Sequence, residues 1–281
     1  MREQKGIAFA ILFPEHTIAP MKSKFDCLII ASQYSGAREV FDLLKENLIT
    51  DTAPTILQNK AILKCKSAEE TKNLKVGIFE FESLEELGQT DISECLLPQA
   101  SVYLMLRNPV WRSFAAYRKN REEGTERSSF IEAVKWDSSP PEVGLGPQNT
   151  SYIIAGKYSE GIRSLLQQTQ EHRLQILEFE ELRRAPFDIL LELKESLGLQ
   201  FKHSPEEISL NLSKQKVAGR RLGIFRALRQ NPAELDEETA KYVYYTYFKR
   251  DIEEVEELLS TSFTSWKFAG KALDGSYIAN L

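Results

Sequence analysis

Two short segments carry the residues best suited to chemistry. Ser32-Gln33-Tyr34-Ser35-Gly36-Ala37-Arg38 follows a mostly apolar run at 25–31 (FDCLIIA) and precedes Ala37, Val40, Phe41, Leu44 and Leu48 at helical spacing. A strand, a tight loop and a helix in that order aim backbone N–H groups and a helix N-terminus at an incoming anion. Gly36 permits close backbone approach, and Ser35 either caps the helix or donates to a phosphate. Arg38 puts a cation in the first turn, where the helix dipole disfavours it unless an anion is bound. The pattern GxxxxGK[ST] is absent, as is GxGxxG. The segment also reads as an ordinary strand-to-helix turn with Ser35 as its N-cap.

The second segment is Arg107-Asn108-Pro109, at the end of an apolar run (SVYLML, 101–106), followed by Arg112, Ser113 and Tyr117 at helical spacing. Pro109 suits a first helical position. In an open parallel sheet, ligands gather beyond the carboxyl ends of the strands, so Arg107 is positioned to share a pocket with the first loop. Its guanidinium is the natural phosphate clamp. Arg220 and Arg221, with Lys214 and Lys216, make a small basic loop whose length and glycines suit a lid over an anion or a solvated turn. His16, His172 and His203 are scattered and suggest no catalytic group.

The elements that must position these residues alternate. Strands are predicted at 25–31, 76–81, 101–106 and 174–179, and helices at 109–121, 128–136, 151–168 and 186–197. Such alternation predicts an α/β domain with a mainly parallel sheet. In the last third, Ala240, Val243, Tyr244, Tyr247, Phe248, Ile252, Val255 and Leu259 form one apolar stripe, read as a packed terminal helix pair. Segment 138–150 is the clearest loop and 214–223 the next. Neither resembles a linker, so one domain is expected over residues 1–281.

Composition narrows the function classes. With 36 Lys and Arg against 41 Asp and Glu, the formal charge is −5, which argues against general nucleic-acid binding but not against a local anion site. A hydrophobic share of 42% is enough to bury a core. Cys27, Cys65 and Cys95 are too few and too dispersed for a disulfide framework or a CxxC metal site, which points to a reducing cytoplasm and no metal. The apolar stretch 6–13 reads as a strand rather than a signal peptide, and no run approaches the ~20 residues of a membrane span.

Taken in order, these blocks resemble the sulfotransferases that use 3'-phosphoadenosine 5'-phosphosulfate (PAPS), bacterial members most closely. Leu28–Gly36 (LIIASQYSG) is similar to the family's strand and 5'-phosphosulfate loop, and Leu106–Arg112 (LRNPVWR) to the strand and helix that hold the 3'-phosphate. Gly156-Lys157-Tyr158 resembles the G-x-Y helix, and Ile176–Leu182 (ILEFEEL) the strand with a Y-E-D-L ending. Leu197-Gly198-Leu199 resembles the following F-L-G-L. Gly219-Arg220-Arg221 and 247–266 resemble the basic loop and terminal helix. The resemblance spans about residues 25–266. It implies a P-loop-like three-layer fold and a helical C-terminal third. It also implies sulfuryl transfer from PAPS to a hydroxyl or amine of a small molecule, carbohydrate or lipid.

The resemblance also assigns residues. Tyr34, Ser35, Gly36, Ala37 and Arg38 would hold the phosphosulfate, and Arg107, Ser113, Arg220 and Arg221 the rest of the nucleotide. Several groups differ from the family pattern. Tyr34 stands where a Lys is usual, Ala37 and Arg38 where Thr or Ser are usual, and Ala115 where a phosphate-binding Ser is usual, with Ser113 nearby. Ile78 and Phe79 occupy positions near the usual base. Arg38 is therefore expected to supply the missing charge, and Glu80 or Glu82, on one face of a strand, the base. A catalytically weakened binding protein that keeps the fold is the alternative.

Overall fold

The run Phe25–Ser32 is buried almost throughout because it lies in the middle of a sheet covered on both faces. The computed structural model describes residues 24–49, 55–57, 60–66, 73–138, 152–169, 173–204, 206–208 and 235–268, with backbone alone at 55–57, 60–66, 73 and 173. The stretch 6–13, His16, most of the loop 138–150, His172 and the basic loop with Arg220 and Arg221 lie outside the described residues.

Six strands form the sheet: β1 (Phe25–Ser32), β2 (Thr55–Leu57), β3 (Lys60–Lys66), β4 (Asn73–Phe81), β5 (Leu96–Leu106) and β6 (Arg173–Glu178), in the order β2-β3-β4-β1-β5-β6. Strands β4, β1, β5 and β6 run parallel, while β2 and β3 add an antiparallel edge. That edge was not read in the sequence, because Lys60–Lys66 breaks its apolar residues into short stretches between lysines.

Side-chain alternation divides the core into two layers. Leu28, Ile30, Val102, Leu104 and Leu106 face one cluster, and Cys27, Ile29, Ala31, Tyr103 and Met105 the other. Phe25 joins the first cluster out of phase, since the β1–β5 register shifts between Phe25 and Cys27. Each fully buried Leu or Ile contributes roughly 1.5–3 kcal/mol.

The second layer is covered by α1 (Ala37–Asn47) through Val40, Phe41 and Leu44, and by α6 (Pro186–Leu197) through Ile189, Leu190 and Leu193. Pro186 opens α6 and left-handed Gly198 closes it. The first layer is covered by α2 (Pro109–Glu122), α3 (Phe130–Asp137), α4 (Ser159–Gln168), α7 (Glu237–Val243) and α8 (Lys249–Leu259). Asn108 caps α2 by accepting from the Val110 N–H at 3.0 Å, and a Ser129–Glu132 capping box starts α3.

Three expectations need correction. The helix expected over 151–168 is a single 3-10 turn, Ile154–Gly156, followed by α4, because Asp251 accepts the Tyr158 and Ser159 N–H groups and starts a new helix there. The strand expected through Phe179 stops at Glu178, and Phe179 begins a short helix, α5 (Phe179–Arg184). The expected terminal helix pair is one continuous rod from 237 to 259, with a π-helical turn at Tyr244–Phe248 between α7 and α8. Among the described residues, no helix is long and apolar enough to cross a membrane.

Gly161 lets α4 lie directly on the 3-10 turn Leu84–Gln89: a Cβ there would overlap the Leu84 carbonyl. Backbone cannot step aside cheaply, so Gly161→Ala should cost about 1–3 kcal/mol in urea unfolding. Of the carboxyls that burial raises, Glu80 and Glu178 reach about 7 and Asp137 about 6. The folded chain then binds more protons than the unfolded one from about pH 4.5 to 7. The stability these groups contribute is complete below that window and lost as pH rises through it. The melting temperature should therefore fall by roughly 5 °C between about pH 5.5 and 8, and less in Glu178→Gln.

Candidate active site

The C-terminal ends of β1, β4 and β5 meet at the loop of residues 33–36. The Gln33 N–H donates to the Phe81 carbonyl at 2.7 Å, tying the loop to the end of β4. Tyr34 is left-handed, at φ 67°, and Gly36 follows at φ 106°. Gly36, not Ser35, is the N-cap of α1, and no side chain caps that helix. The Ser35 hydroxyl is buried 2.7 Å from that of Ser32. The first N–H groups of α1 therefore face the loop without a side-chain cap. Gly36 is required from below as well, because a Cβ would stand 2.5 Å from Phe179 and 2.9 Å from Met105.

Two arginines grip the carbonyls that this loop turns inward. Arg107 donates from NH1 to the Tyr34 carbonyl at 2.9 Å, and its guanidinium lies 4.4 Å from the centre of the Phe179 ring. Arg112, fully buried, donates from Nε to the Gln33 carbonyl at 2.9 Å and from NH1 to that of Tyr152 at 3.2 Å. Its guanidinium sits 5.8 Å from the centre of the Tyr34 ring. Arg112 was read only as part of the α2 pattern. The signal was a charge on the helix face that carries Pro109, Ser113 and Ala116, a face that is buried.

Carboxylates surround these cations. Glu80, beside Ala31 at the end of β4, is pushed up to about 7 by burial and then by Glu39, against the pull of Arg112, the Tyr34 N–H and Arg38. Glu39, in the first turn of α1, is raised by burial, although its own N–H, Arg107 and Arg183 pull it down. The sequence reading missed Glu39, because an acidic residue in a first turn is ordinary. Glu180 accepts the Asn108 N–H at 3.1 Å and supplies the largest opposing charge to Arg107. Burial lowers the Arg107 pKa and raises that of Glu180. Arg107 Nε and Glu180 Oε2 are buried with no hydrogen-bond partner of good geometry among the described residues.

The other nominated residues fall in different places. Arg38 points outward, 72% exposed, and pairs with Asp42 at 3.2 Å. Glu82 is exposed, past the end of β4 at Phe81, so the shared strand face expected for Glu80 and Glu82 does not exist. Ser113 is buried, and its hydroxyl reaches the Tyr152 carbonyl at 2.6 Å and that of Pro109 at 2.8 Å, so it braces the 152–156 segment against α2. Ala37 is buried in α1. Tyr158, also buried, donates its hydroxyl to the Arg107 carbonyl at 2.9 Å, beside Ser32 and Ser35. Asp251 of α8 accepts the Tyr158 N–H at 2.7 Å and the Ser159 N–H at 3.2 Å.

A separate cleft of about 480 Å³ opens between Asp26, Leu74, Gln99 and Leu197, at the opposite ends of the strands. The rule for open parallel sheets favours the carboxyl ends, and the loop with Arg107, Arg112, Glu39 and Glu80 is the candidate site.

No family model matches the sequence. One curated relative, the bifunctional heparan sulfate N-deacetylase/N-sulfotransferase of Drosophila melanogaster, is 27% identical over 170 residues, which are 57% of this chain and 16% of that protein. Among solved structures, a sulfotransferase from Alicyclobacillus acidocaldarius superposes with a TM-score of 0.56 at 15% identity, over 87% of this chain and 99% of its own. A mouse sulfotransferase, SULT7A1, solved as a complex with PAP, gives a TM-score of 0.49 at 11% identity, over 86% and 88%. With a parallel β4-β1-β5-β6 core and a superposition that takes in nearly all of the bacterial enzyme, the chain has the sulfotransferase fold.

Proposed function

We propose that the protein is a PAPS-dependent sulfotransferase whose acceptor carries a hydroxyl or an amine on a small molecule, carbohydrate or lipid. The observation that carries this reading is the pairing of an uncapped α1 N-terminus with Arg107, whose Nε is buried beside the same loop with no hydrogen-bond partner among the described residues. Both are suited to phosphate oxygens. The loop residues Tyr34 to Arg38 would hold the phosphosulfate, and Arg107 the 3'-phosphate. Arg220 and Arg221 would close over the nucleotide. The bound nucleotide supplies an activated sulfuryl group whose S–O bond breaks with its electron pair leaving on phosphate.

The chain's own residues orient that exchange and take the proton. Glu80 is the base, since its carboxylate sits at the loop and titrates close to neutrality, where a general base is most effective. Arg38 would lend charge to the leaving phosphate by turning away from Asp42. The curated relative is by name an N-sulfotransferase of heparan sulfate, which supports a carbohydrate among the acceptor classes. The cysteine pattern supports a cytoplasmic setting.

A second reading, a nucleotide-binding protein with weakened catalysis, draws on Tyr34 at the usual Lys position and on the outward, paired Arg38. Missing one transition-state charge contact costs on the order of 10²–10³ in rate. Tight PAP binding without turnover on any acceptor would favour it.

Calorimetric titration with PAP should show micromolar binding, weakened about 10–100-fold in Arg107→Ala, as expected for a lost charge-assisted hydrogen bond. Unchanged affinity in that variant would remove Arg107 from the site. With an acceptor in hand, kcat/KM should rise with pH through about 7 as Glu80 ionises. Glu80→Gln should flatten that limb and lower the rate by about 10²–10⁴.

A further inference from the structure

A second guanidinium shares the Phe179 ring with Arg107. Arg183 lies one turn further along α5, on the same helix face, and its guanidinium stands 5.9 Å from the ring centre. That of Arg107 stands 4.4 Å from the same centre. Gly36, the N-cap of α1, packs on this ring as well. One aromatic side chain therefore gathers two arginines beside the loop. Arg184, the next residue, is exposed and paired with Glu181, so it takes no part.

Holding two cations together is unfavourable: burial and then the charge of Arg107 lower the Arg183 pKa. The acids that act on both arginines are Glu39 and Glu180, and burial raises each of them against the pull of Arg107. Glu180 is anchored to the Asn108 N–H at 3.1 Å. Glu39 stands in the first turn of α1, where Asp42 pushes it further up. Arg183 and Glu39 are both half-buried, so an entering ligand reaches them. An anion that meets both arginines would displace Glu39 and leave Glu180 in place.

The pair selects the chemistry of that anion. A carboxylate offers two oxygens and one charge. A phosphate monoester offers three terminal oxygens and about 1.5–2 charges at pH 7. It can serve two guanidinium forks at once, including the buried Nε of Arg107. A phosphodiester or a sulfate ester, with a single charge, balances only one of the two cations. We propose that Arg183 is a binding residue of the nucleotide site, which with Arg107 clamps one phosphate monoester, the 3'-phosphate, in exchange for Glu39. Naming the 3'-phosphate rests on the sulfotransferase reading; a two-arginine phosphate clamp does not.

The test is calorimetric titration of the full chain with PAP, with 5'-AMP, which lacks the 3'-phosphate, and with inorganic pyrophosphate. The proteins are the native chain, Arg183→Ala, Arg183→Lys and Glu39→Gln, each checked by far-UV circular dichroism for a native fold. Arg183→Ala should weaken PAP and pyrophosphate about tenfold, as for a lost charge-assisted contact, and leave 5'-AMP within about twofold. Arg183→Lys should weaken PAP about threefold, since it keeps the charge and loses the fork. Glu39→Gln should tighten PAP about threefold by removing the acid that must be displaced. Unchanged PAP affinity in Arg183→Ala, equal weakening of PAP and 5'-AMP there, or weaker PAP binding in Glu39→Gln would overturn the inference. Pyrophosphate binding that needs Arg183, without PAP binding, would sink the nucleotide reading alone. PAP binding indifferent to Arg183 would sink this inference alone, and binding of neither ligand would sink both.

Discussion

A left-handed turn at a tyrosine is the constraint on which the rest of the structure depends. Tyr34 at φ 67° costs roughly 1–2 kcal/mol relative to a right-handed residue. The turn also directs the carbonyls of Gln33 and Tyr34 toward the protein, where each needs a donor. Arg112 and Arg107 supply those donors. For both to reach, β5 must end at Leu106, one residue before Arg107, and α2 must begin at Pro109 with its first turn against the loop. Phe179 then fills the space under Gly36 and lies against the Arg107 guanidinium, which fixes where β6 gives way to α5. A strained loop held by its own cationic walls is a preorganised arrangement for an anion.

Those walls are balanced locally. Two arginines at the loop and Arg183 beside Phe179 are faced by Glu39, Glu80 and Glu180. The acidic character of the whole chain thus reaches into the site, and each carboxyl there is raised by burial rather than held fully ionised. An entering anion would weaken the hold of the cations on these carboxylates, so anion binding and proton uptake are linked.

Local pattern made the first half of the site legible. The apolar run of β1, the Ser-Gly turn and the helical spacing of α1 lie within about twenty consecutive residues, and Arg107-Asn108-Pro109 marks a strand end followed by a helix start. What stayed hidden depends on long-range contact. Arg112 looks like an exposed helix residue until Tyr152 and Gln33 surround it. Asp251 looks like one more acid in a charged helix until it meets Tyr158 across the fold. Glu80 and Glu82 separate because the strand stops between them, at Phe81. The π turn has no signature in hydrophobic spacing: an apolar stripe with one residue added still reads as a stripe. Tyr34 also serves the loop through its backbone carbonyl, which side-chain identity does not reveal.

The clamp of Asp251 on Tyr158 has a further consequence for how the molecule is made. Asp251 holds the backbone at Tyr158, Tyr158 holds the carbonyl of Arg107, and Arg107 holds that of Tyr34. Each link joins a segment emerging from the ribosome to one already synthesised. The loop near the start of the chain is therefore completed only when α8 arrives. Until then, the emerging chain carries the loop without this brace, and α8 supplies its final link.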